Sequence, residues 1–237
     1  MLLLILRSHG YLFVSPAKVL DIAPARSVRS FLVPLVGSRY IATDLFEMPG
    51  ISLRSDLTKL GFADDSFDVI ICYHVLEHIP DDGAAMSELT RILKPGGIAF
   101  IQVPRRRGIA TDEDPTAPVE ERVRRFGQDD HVRYYGDDLE QRLRTNGLLP
   151  TTVCPAAAWP TAQTRRFGLQ PQEEIWICRV GDSTDLTVGS GDGSWQPPGL
   201  IRVPRGPMLV PMIKRTLRRT ALGRAALRSA PRWLRRQ

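Results

Sequence analysis

The stretch "SFDVIICYHVLEHI", residues 66–79, decides the fold of this chain. Residues 69–73 form an unbroken apolar run rich in β-branched side chains, and Asp64, Asp65 and Ser66 mark a turn before it. Such a run predicts a strand that is covered on both faces, as in a parallel sheet between two layers of helices.

The chain on either side of this stretch alternates between short apolar runs and helical patterns. Strands are predicted at residues 18–23, 39–45, 51–57, 67–74, 98–104, 149–158 and 173–180. Helices are predicted at residues 27–36, 82–93 and 137–148. Asp81 or Asp82 can cap the second of these helices, and Lys94-Pro95-Gly96-Gly97 ends it. The alternation predicts an α/β, doubly wound, parallel sheet with right-handed crossovers.

The length of 237 residues suits one α/β domain with appendages. The three cysteines form no C-x-x-C pair, which argues against a disulfide framework or a structural zinc site and indicates a cytoplasmic protein. The apolar start, residues 2–6, is short for a spanning helix and lacks the features of a signal peptide. We therefore expect it to form a helix packed on the sheet.

The net charge of +6 conceals an uneven distribution. Residues 201–237 hold ten Arg, one Lys and no acidic residue, whereas the preceding residues are mildly acidic. Residues 181–200 are rich in Gly, Ser and Pro, which predicts a flexible linker between a domain at 1–180 and a basic tail. The tail is either a solubilising segment, a peripheral contact with an anionic membrane surface or, less favoured, a nucleic-acid contact.

Three acidic residues end successive predicted strands: Asp21, Asp44 and Asp56. In an open α/β sheet, ligands bind beyond the carboxyl ends of the strands. Asp44 follows Asp21 by 23 residues, close to the spacing at which an acid binds the hydroxyls of a ribose. The alternative is that each of these residues caps a local turn.

Four stretches of the chain resemble the class I S-adenosylmethionine-dependent methyltransferases, especially the methyltransferase type 11 group. They are "VLDIAP" (19–24), "ATDL" (42–45), "DLTKLGFADDSFDVIICYHVLEHI" (56–79) and "ELTRILKPGG" (88–97). The resemblance implies a Rossmann-like, seven-stranded sheet in the order 3-2-1-4-5-7-6 with strand 7 antiparallel. It also implies S-adenosylmethionine as the cofactor.

The resemblance assigns cofactor-binding roles to eight residues, from the methionine end to the adenine end. They are Asp21 and Ala23 in the first motif, Asp44 and Leu45 at the ribose and adenine, Asp56 and Leu57 at the adenine, and Cys72 and Tyr73 on the methionine side. The family's usual D-x-G-x-G-x-G is replaced by Asp21-Ile22-Ala23-Pro24-Ala25. Ala23 still allows a close approach of the backbone because alanine is the next smallest residue.

Three residues are the candidates for acceptor chemistry. His74, at the end of the fourth strand of the family order, is either a general base or a structural histidine. His131 and Arg133 lie in "FGQDDHVRYYGDDL" (126–139), which either faces the acceptor, with Arg133 holding an anionic group, or is an ordered surface loop. Glu77 and His78 are interpreted as local capping and packing residues. No H-x-H or H-E-x-x-H motif indicates a metal.

We therefore expect a cytoplasmic methyltransferase, at most peripherally attached to the inner membrane surface, that acts on a small-molecule, sugar or lipid-linked acceptor. The sequence leaves the acceptor, the methylated atom and the oligomeric state open. A non-catalytic cofactor-binding or scaffold protein is the first alternative, because the glycines of the first motif are missing. An RNA methyltransferase that uses the basic tail is the second alternative.

Overall fold

A computed structural model describes residues 11–13, 17–154, 156, 165, 170, 172–181 and 200–202. The strands are β1 (Tyr11–Phe13), β2 (Val19–Ile22), β3 (Tyr40–Asp44), β4 (Leu53–Arg54), β5 (Phe67–Tyr73), β6 (Leu93–Gln102), β7 (Asp112–Glu113), β8 (Arg133–Tyr134), β9 (Leu148–Val153), β10 (Ile175–Val180) and β11 (Leu200–Arg202). The α-helices are α1 (Arg26–Val36), α2 (Asp82–Ile92), α3 (Val119–Phe126) and α4 (Leu139–Thr145).

Seven strands form the central sheet in the order β4-β3-β2-β5-β6-β10-β9. The strands from β4 to β6 are parallel, and β10 runs antiparallel to both β6 and β9. In the family's numbering this is 3-2-1-4-5-7-6, so the predicted topology is confirmed. The chain reverses its direction of winding between β2 and β5, which is where an open sheet of this kind leaves a crevice.

Strand β5 is the middle strand of the sheet, and six of its seven residues are therefore buried. Its alternate side chains enter two apolar clusters on opposite faces. One cluster packs beneath α2 and α4 and includes Ile70, Leu89 and Leu143. The other packs beneath α1 and includes Val69 and Leu32. The unbroken apolar run in the sequence thus reflects burial on both faces of a parallel sheet.

Helix α2 begins as the sequence predicts, since the carboxylate of Asp81 accepts a 2.9 Å hydrogen bond from the amide of Ala84. Helix α1 retains Pro34 near its C-terminal end, so the carbonyl of Ser30, four residues earlier, lacks its usual amide donor within the helix. The predicted strand at 98–104 begins earlier, at Leu93, and its register against β5 shifts between the pairs Phe67–Leu93 and Val69–Ile98. The predicted strand at 51–57 is reduced to the two residues of β4.

Two short antiparallel pairs complete the described secondary structure. Strand β7 pairs with β8, and β1 pairs with β11, so Leu200–Arg202 is extended at the predicted junction of linker and tail. The predicted first helix, nearly all of the predicted linker and the basic tail beyond 202 lie outside the described residues. Among the residues that are described, no helix is both long enough and apolar enough to cross a membrane.

Candidate active site

A cleft of about 640 Å³ opens at the carboxyl ends of β2, β3 and β5 and at the segment that follows β4. Its size is typical of a pocket that encloses a ligand of cofactor dimensions. Six of the residues that the sequence singled out line it: Ala23, Asp44, Leu45, Asp56, Leu57 and His74. The crevice expected from the sheet topology is therefore present at the predicted edge.

Asp44 and Asp56 meet at this cleft because β3 and β4 are parallel neighbours, with Asp44 opposite Arg54 in the register. One oxygen of Asp44 accepts a 3.0 Å hydrogen bond from the amide of Phe46. One oxygen of Asp56 accepts from both the amide and the hydroxyl of Thr58, at 2.8 Å each. Each carboxylate thus stabilises a turn with one oxygen, and its second oxygen has no hydrogen bond from the described residues. Turn capping and ligand binding are compatible at both positions.

Two residues at the edge of the cleft hold the left-handed backbone conformation that favours glycine. Ala23 has φ 48° and His74 has φ 54°. The amide of Ala23 donates to the carbonyl of Thr43 at 2.7 Å, and the amide of His74 donates to the carbonyl of Gln102 at 2.8 Å. These bonds turn the chain sharply at the ends of β2 and β5. Ala23 therefore stands at the position of the first glycine of the family motif in a conformation that glycine adopts without strain.

Asp21 is 1% exposed and is absent from the cleft lining. Its carboxylate accepts a 2.6 Å hydrogen bond from the hydroxyl of Tyr40 on the α1 side of the sheet. Burial raises the pKa of Asp21 to about 7, although the bond from Tyr40 opposes the rise. The structure thus places Asp21 beneath the turn that contains Ala23.

Cys72 and Tyr73 are likewise absent from the cleft lining, so the structure does not bring their side chains together with Asp44 and Asp56. Cys72 is fully buried in the cluster beneath α2, and burial raises the pKa of its thiol. Tyr73 packs beside the cluster beneath α1, where its hydroxyl is buried and has no hydrogen-bond partner among the described residues. The alternation of side chains along β5 sends these two residues into the layers above and below the sheet.

His74 is exposed over 55% of its side chain and contacts the buried carboxylate of Glu77, with 3.1 Å between Nδ1 and Oε1. This hydrogen bond raises the pKa of His74 above its ordinary value, with burial opposing it. The pair orients the imidazole so that Nε2 is the nitrogen available to a ligand. Of the three residues predicted for acceptor chemistry, His74 is the one that lines the cleft.

Arg133 is 1% exposed and is absent from the cleft lining, so the structure does not bring it to the cleft beside His74. Its guanidinium donates to the backbone carbonyls of Leu76 (2.8 Å), Ile79 and Pro80 (2.9 Å). It also donates to the carboxylate of Glu113 at 3.0 Å. Arg133 thereby fastens strand β8 to the turn that follows β5.

His131 is 4% exposed and also lies outside the cleft lining, so the structure does not place it directly beside His74 in the cleft. Its ring packs edge-on against that of His78, with 4.6 Å between centroids. Sequence reasoning missed the resulting group of Glu77, His78 and His131, whose potential ligand atoms lie within 4.8 Å of one another. The adjacent Glu77 and His78 were visible as a possible signal, but nothing in the sequence linked them to His131, 53 residues further on.

Comparison with known proteins agrees with this geometry. Residues 35–101 match the family model described as "Methyltransferase domain". The chain is 30% identical over 127 residues to the 27-O-demethylrifamycin SV methyltransferase of Amycolatopsis mediterranei, a match that covers 50% of this chain and 44% of that protein. The chain thus spans less than half the length of this curated relative.

Two solved structures share the fold. The first is the complex between the Haloferax volcanii Trm112 methyltransferase activator and the putative methyltransferase, with 15% identity, a TM-score of 0.52 and coverage of 74% of this chain and 88% of that one. The second is the 1,6-didemethyltoxoflavin-N1-methyltransferase of Burkholderia thailandensis with its substrate and S-adenosylhomocysteine bound. It shares 21% identity and a TM-score of 0.50, with coverage of 70% and 72%. The sheet order, the cleft and the match over residues 35–101 therefore agree in showing a methyltransferase-like fold, and this chain is similar to known S-adenosylmethionine-dependent methyltransferases over part of its length.

Proposed function

We propose that this protein binds S-adenosylmethionine in the cleft and transfers its methyl group to a small-molecule acceptor. The observation that carries the proposal is the convergence of Asp44 and Asp56 on one cleft at the carboxyl ends of parallel strands, each with one carboxylate oxygen unused by the described residues. A carboxylate in this position is suited to accept hydrogen bonds from ribose hydroxyls or from an adenine amino group.

The residues around the two acids fit an adenosine. Leu57 is buried and lines the cleft, and Leu45 lines it while remaining 54% exposed. Together they offer apolar surface for the two faces of a flat base, while Asp44 supports the ribose and Asp56 the exocyclic amino group. Ala23 places backbone close to the cleft without a long side chain, as the methionine part of the cofactor requires.

The opposite end of the cleft supports the acceptor. When it is bound, S-adenosylmethionine supplies a methyl group on a sulfonium. His74 lines this end, and its Nδ1 is held by Glu77, so Nε2 is the atom placed to accept a proton from an acceptor hydroxyl or amine. Val75 and Ile79 add apolar lining beside it. The protein's contribution is alignment of the two reactants and removal of this proton.

The acceptor class rests on the relatives. The curated relative acts on 27-O-demethylrifamycin SV, and one structural neighbour acts on 1,6-didemethyltoxoflavin. Both acceptors are small molecules. We extend this class to the present chain and propose a small-molecule acceptor that enters beside His74.

Calorimetric titration with S-adenosylmethionine and with S-adenosylhomocysteine tests the proposal. We expect both to bind, and we expect Asp44→Ala to weaken binding by about 10- to 100-fold, as loss of a hydrogen bond to a charged group does. Glu120→Gln is the matched control, because it removes an exposed carboxylate on α3, away from the cleft. Absence of heat with both ligands refutes the proposal.

Incubation with labelled methyl donor separates the alternatives. Label in small-molecule extracts supports the proposed function. Cofactor binding without transfer to any acceptor favours the non-catalytic protein instead. Label in bulk RNA that is lost when residues 201–237 are deleted favours the RNA methyltransferase.

A further inference from the structure

Glu77, His78 and His131 bring one carboxylate and two imidazoles together, with one potential ligand atom from each within 4.8 Å of the others. His78 lines the cleft, whereas Glu77 and His131 are buried. We propose that these three residues bind one divalent transition-metal ion and that its remaining coordination positions face the end of the cleft beside His74.

The first support is the burial and the incomplete hydrogen bonding of the Glu77 carboxylate. This side chain is fully buried, and its Oε2 has no hydrogen-bond partner among the described residues, while Oε1 contacts His74 at 3.1 Å. A buried carboxylate oxygen without a partner is costly. The nearby Arg133 does not relieve this cost, because its guanidinium donates to backbone carbonyls and to Glu113. A cation bound at Oε2 relieves it.

The second support is that each imidazole has an oxygen atom beside its Nδ1. Nδ1 of His131 lies 3.1 Å from the carbonyl oxygen of Phe126, and Nδ1 of His78 lies 3.2 Å from a carboxylate oxygen of Asp130. The carbonyl of Phe126 can only accept, so Nδ1 of His131 carries the proton and its Nε2 presents a lone pair, while the nearby Asp130 carboxylate favours the same arrangement for His78. Metal-binding histidines are commonly held in this way by a carbonyl or a carboxylate.

The third support is the rigidity of the two segments that supply the ligands. The carbonyl of Glu77 accepts a 2.9 Å hydrogen bond from the amide of Val132, the residue after His131. Arg133 then fastens the same strand to three carbonyls of the turn after β5. The ligand segments, 53 residues apart in sequence, are thereby fixed against each other before any ion binds.

The donor set selects the class of ion. Two imidazoles and one carboxylate suit Zn²⁺, Co²⁺, Fe²⁺ or Mn²⁺ better than Mg²⁺ or Ca²⁺, which prefer oxygen ligands. Bonds of about 2.0–2.2 Å place tetrahedral ligand atoms about 3.4 Å apart, so the three atoms need to close by at most about 1.4 Å. Rotation of the side chains about their χ angles supplies movements of this size.

The role of the ion rests on the proposed function. An acceptor hydroxyl bound to a divalent ion would be more acidic and would give its proton to Nε2 of His74 more readily, which leaves a stronger oxygen nucleophile beside the cofactor. His78 connects the metal site to the cleft lining, so the bound oxygen faces the same space as His74. The proposal therefore predicts an acceptor that binds through oxygen.

Equilibrium dialysis of the full chain against Co²⁺ and Zn²⁺, after treatment with a chelator, tests the site without cofactor or acceptor. We expect one ion per chain, an absorption spectrum of low-symmetry Co²⁺, and two imidazole nitrogens by X-ray absorption. Glu77→Gln and His78→Gln should each weaken binding by at least about 100-fold. Asp130→Asn, which alters only the partner of His78, should weaken it about 10- to 100-fold.

The controls keep the outcomes distinct. Glu120→Gln should leave the ion affinity unchanged, and circular dichroism of each variant checks folding. If Glu77→Gln does not fold, the half-buried His78 provides the second variant, since its side chain is 31% exposed. No stoichiometric ion, or an affinity unaltered in both ligand variants, overturns the proposal. Calorimetry with S-adenosylmethionine on the same samples reports separately on the proposed function.

Discussion

Replacing Asp21 by asparagine tests whether the buried carboxyl group beneath the turn at Ala23 has a raised pKa. Asp21 is 1% exposed, its hydrogen bond comes from Tyr40, and burial raises its pKa to about 7 from 3.8. Because the pKa is higher in the folded state, the proton binds more tightly there than in the unfolded chain. The associated stability is complete below about pH 4 and is lost as the pH rises through about 7.

The magnitude follows from the shift. A difference of about 3 pKa units between the folded and unfolded states changes the unfolding free energy by about 4 kcal/mol from below about pH 4 to above about pH 7. Between about pH 5 and pH 8 the unfolded side chain is already ionised, so about 3 kcal/mol of the change falls in this window. The Asp21→Asn variant has no such dependence, and the amide oxygen of its new side chain can still accept from Tyr40.

Urea denaturation of the wild-type chain and Asp21→Asn at pH 5, 6, 7 and 8, without cofactor, measures this change. Subtracting the unfolding free energy of one protein from that of the other removes the contribution of all other titrating groups. From pH 5 to pH 8 this difference should change in favour of the variant by about 3 kcal/mol. Tyr40→Phe removes the hydrogen bond that lowers the pKa of Asp21, so the transition should move to higher pH. A difference that does not vary with pH would refute the reasoning.

Substitutions at two further positions, Arg133 and Ala23, test the contacts and the backbone conformation of the turns that follow β5 and β2. Arg133→Met should lower the unfolding free energy by about 3–5 kcal/mol in urea denaturation, because it leaves buried carbonyls without donors. Arg133→Lys should recover only part of this loss. Equal stability of the wild type and both variants would contradict the role of Arg133 in holding β8 to the turn after β5. Ala23→Gly should change the stability by less than about 1 kcal/mol, since relief of the left-handed strain and the added freedom of glycine nearly cancel. Ala23→Val should be clearly less stable and bind S-adenosylmethionine more weakly by calorimetry; a valine variant as stable as wild type would argue against the strain.

The sequence predicted the sheet because local patterns were consistent. The apolar run at 69–73, the cap at Asp81 and the alternation of strands and helices depend on burial and local hydrogen bonds, and these are written into neighbouring residues. The position of Asp44 and Asp56 at the cleft was predicted from local patterns too, since the carboxyl end of a strand lies at the ligand edge of a parallel sheet.

The sequence did not reveal the direction in which a side chain points from its strand or loop. Cys72 and Tyr73 end the right strand, yet the pleat sends them into the two packed layers. Arg133 lies in the right segment, yet its guanidinium meets carbonyls of a turn more than fifty residues away in the chain. A charged residue near a site in sequence has no fixed partner until the fold supplies one.

The periodicity of the amino-acid sequence therefore predicted the fold class and the ligand edge of the sheet, and the resemblance of its motifs to known methyltransferases implied the strand order. Only the tertiary structure decided which polar groups face the cleft, which are buried and which meet across the fold. Glu77, His78 and His131 illustrate this limit, since the distance between their ligand atoms depends on packing between two segments that no local pattern connects.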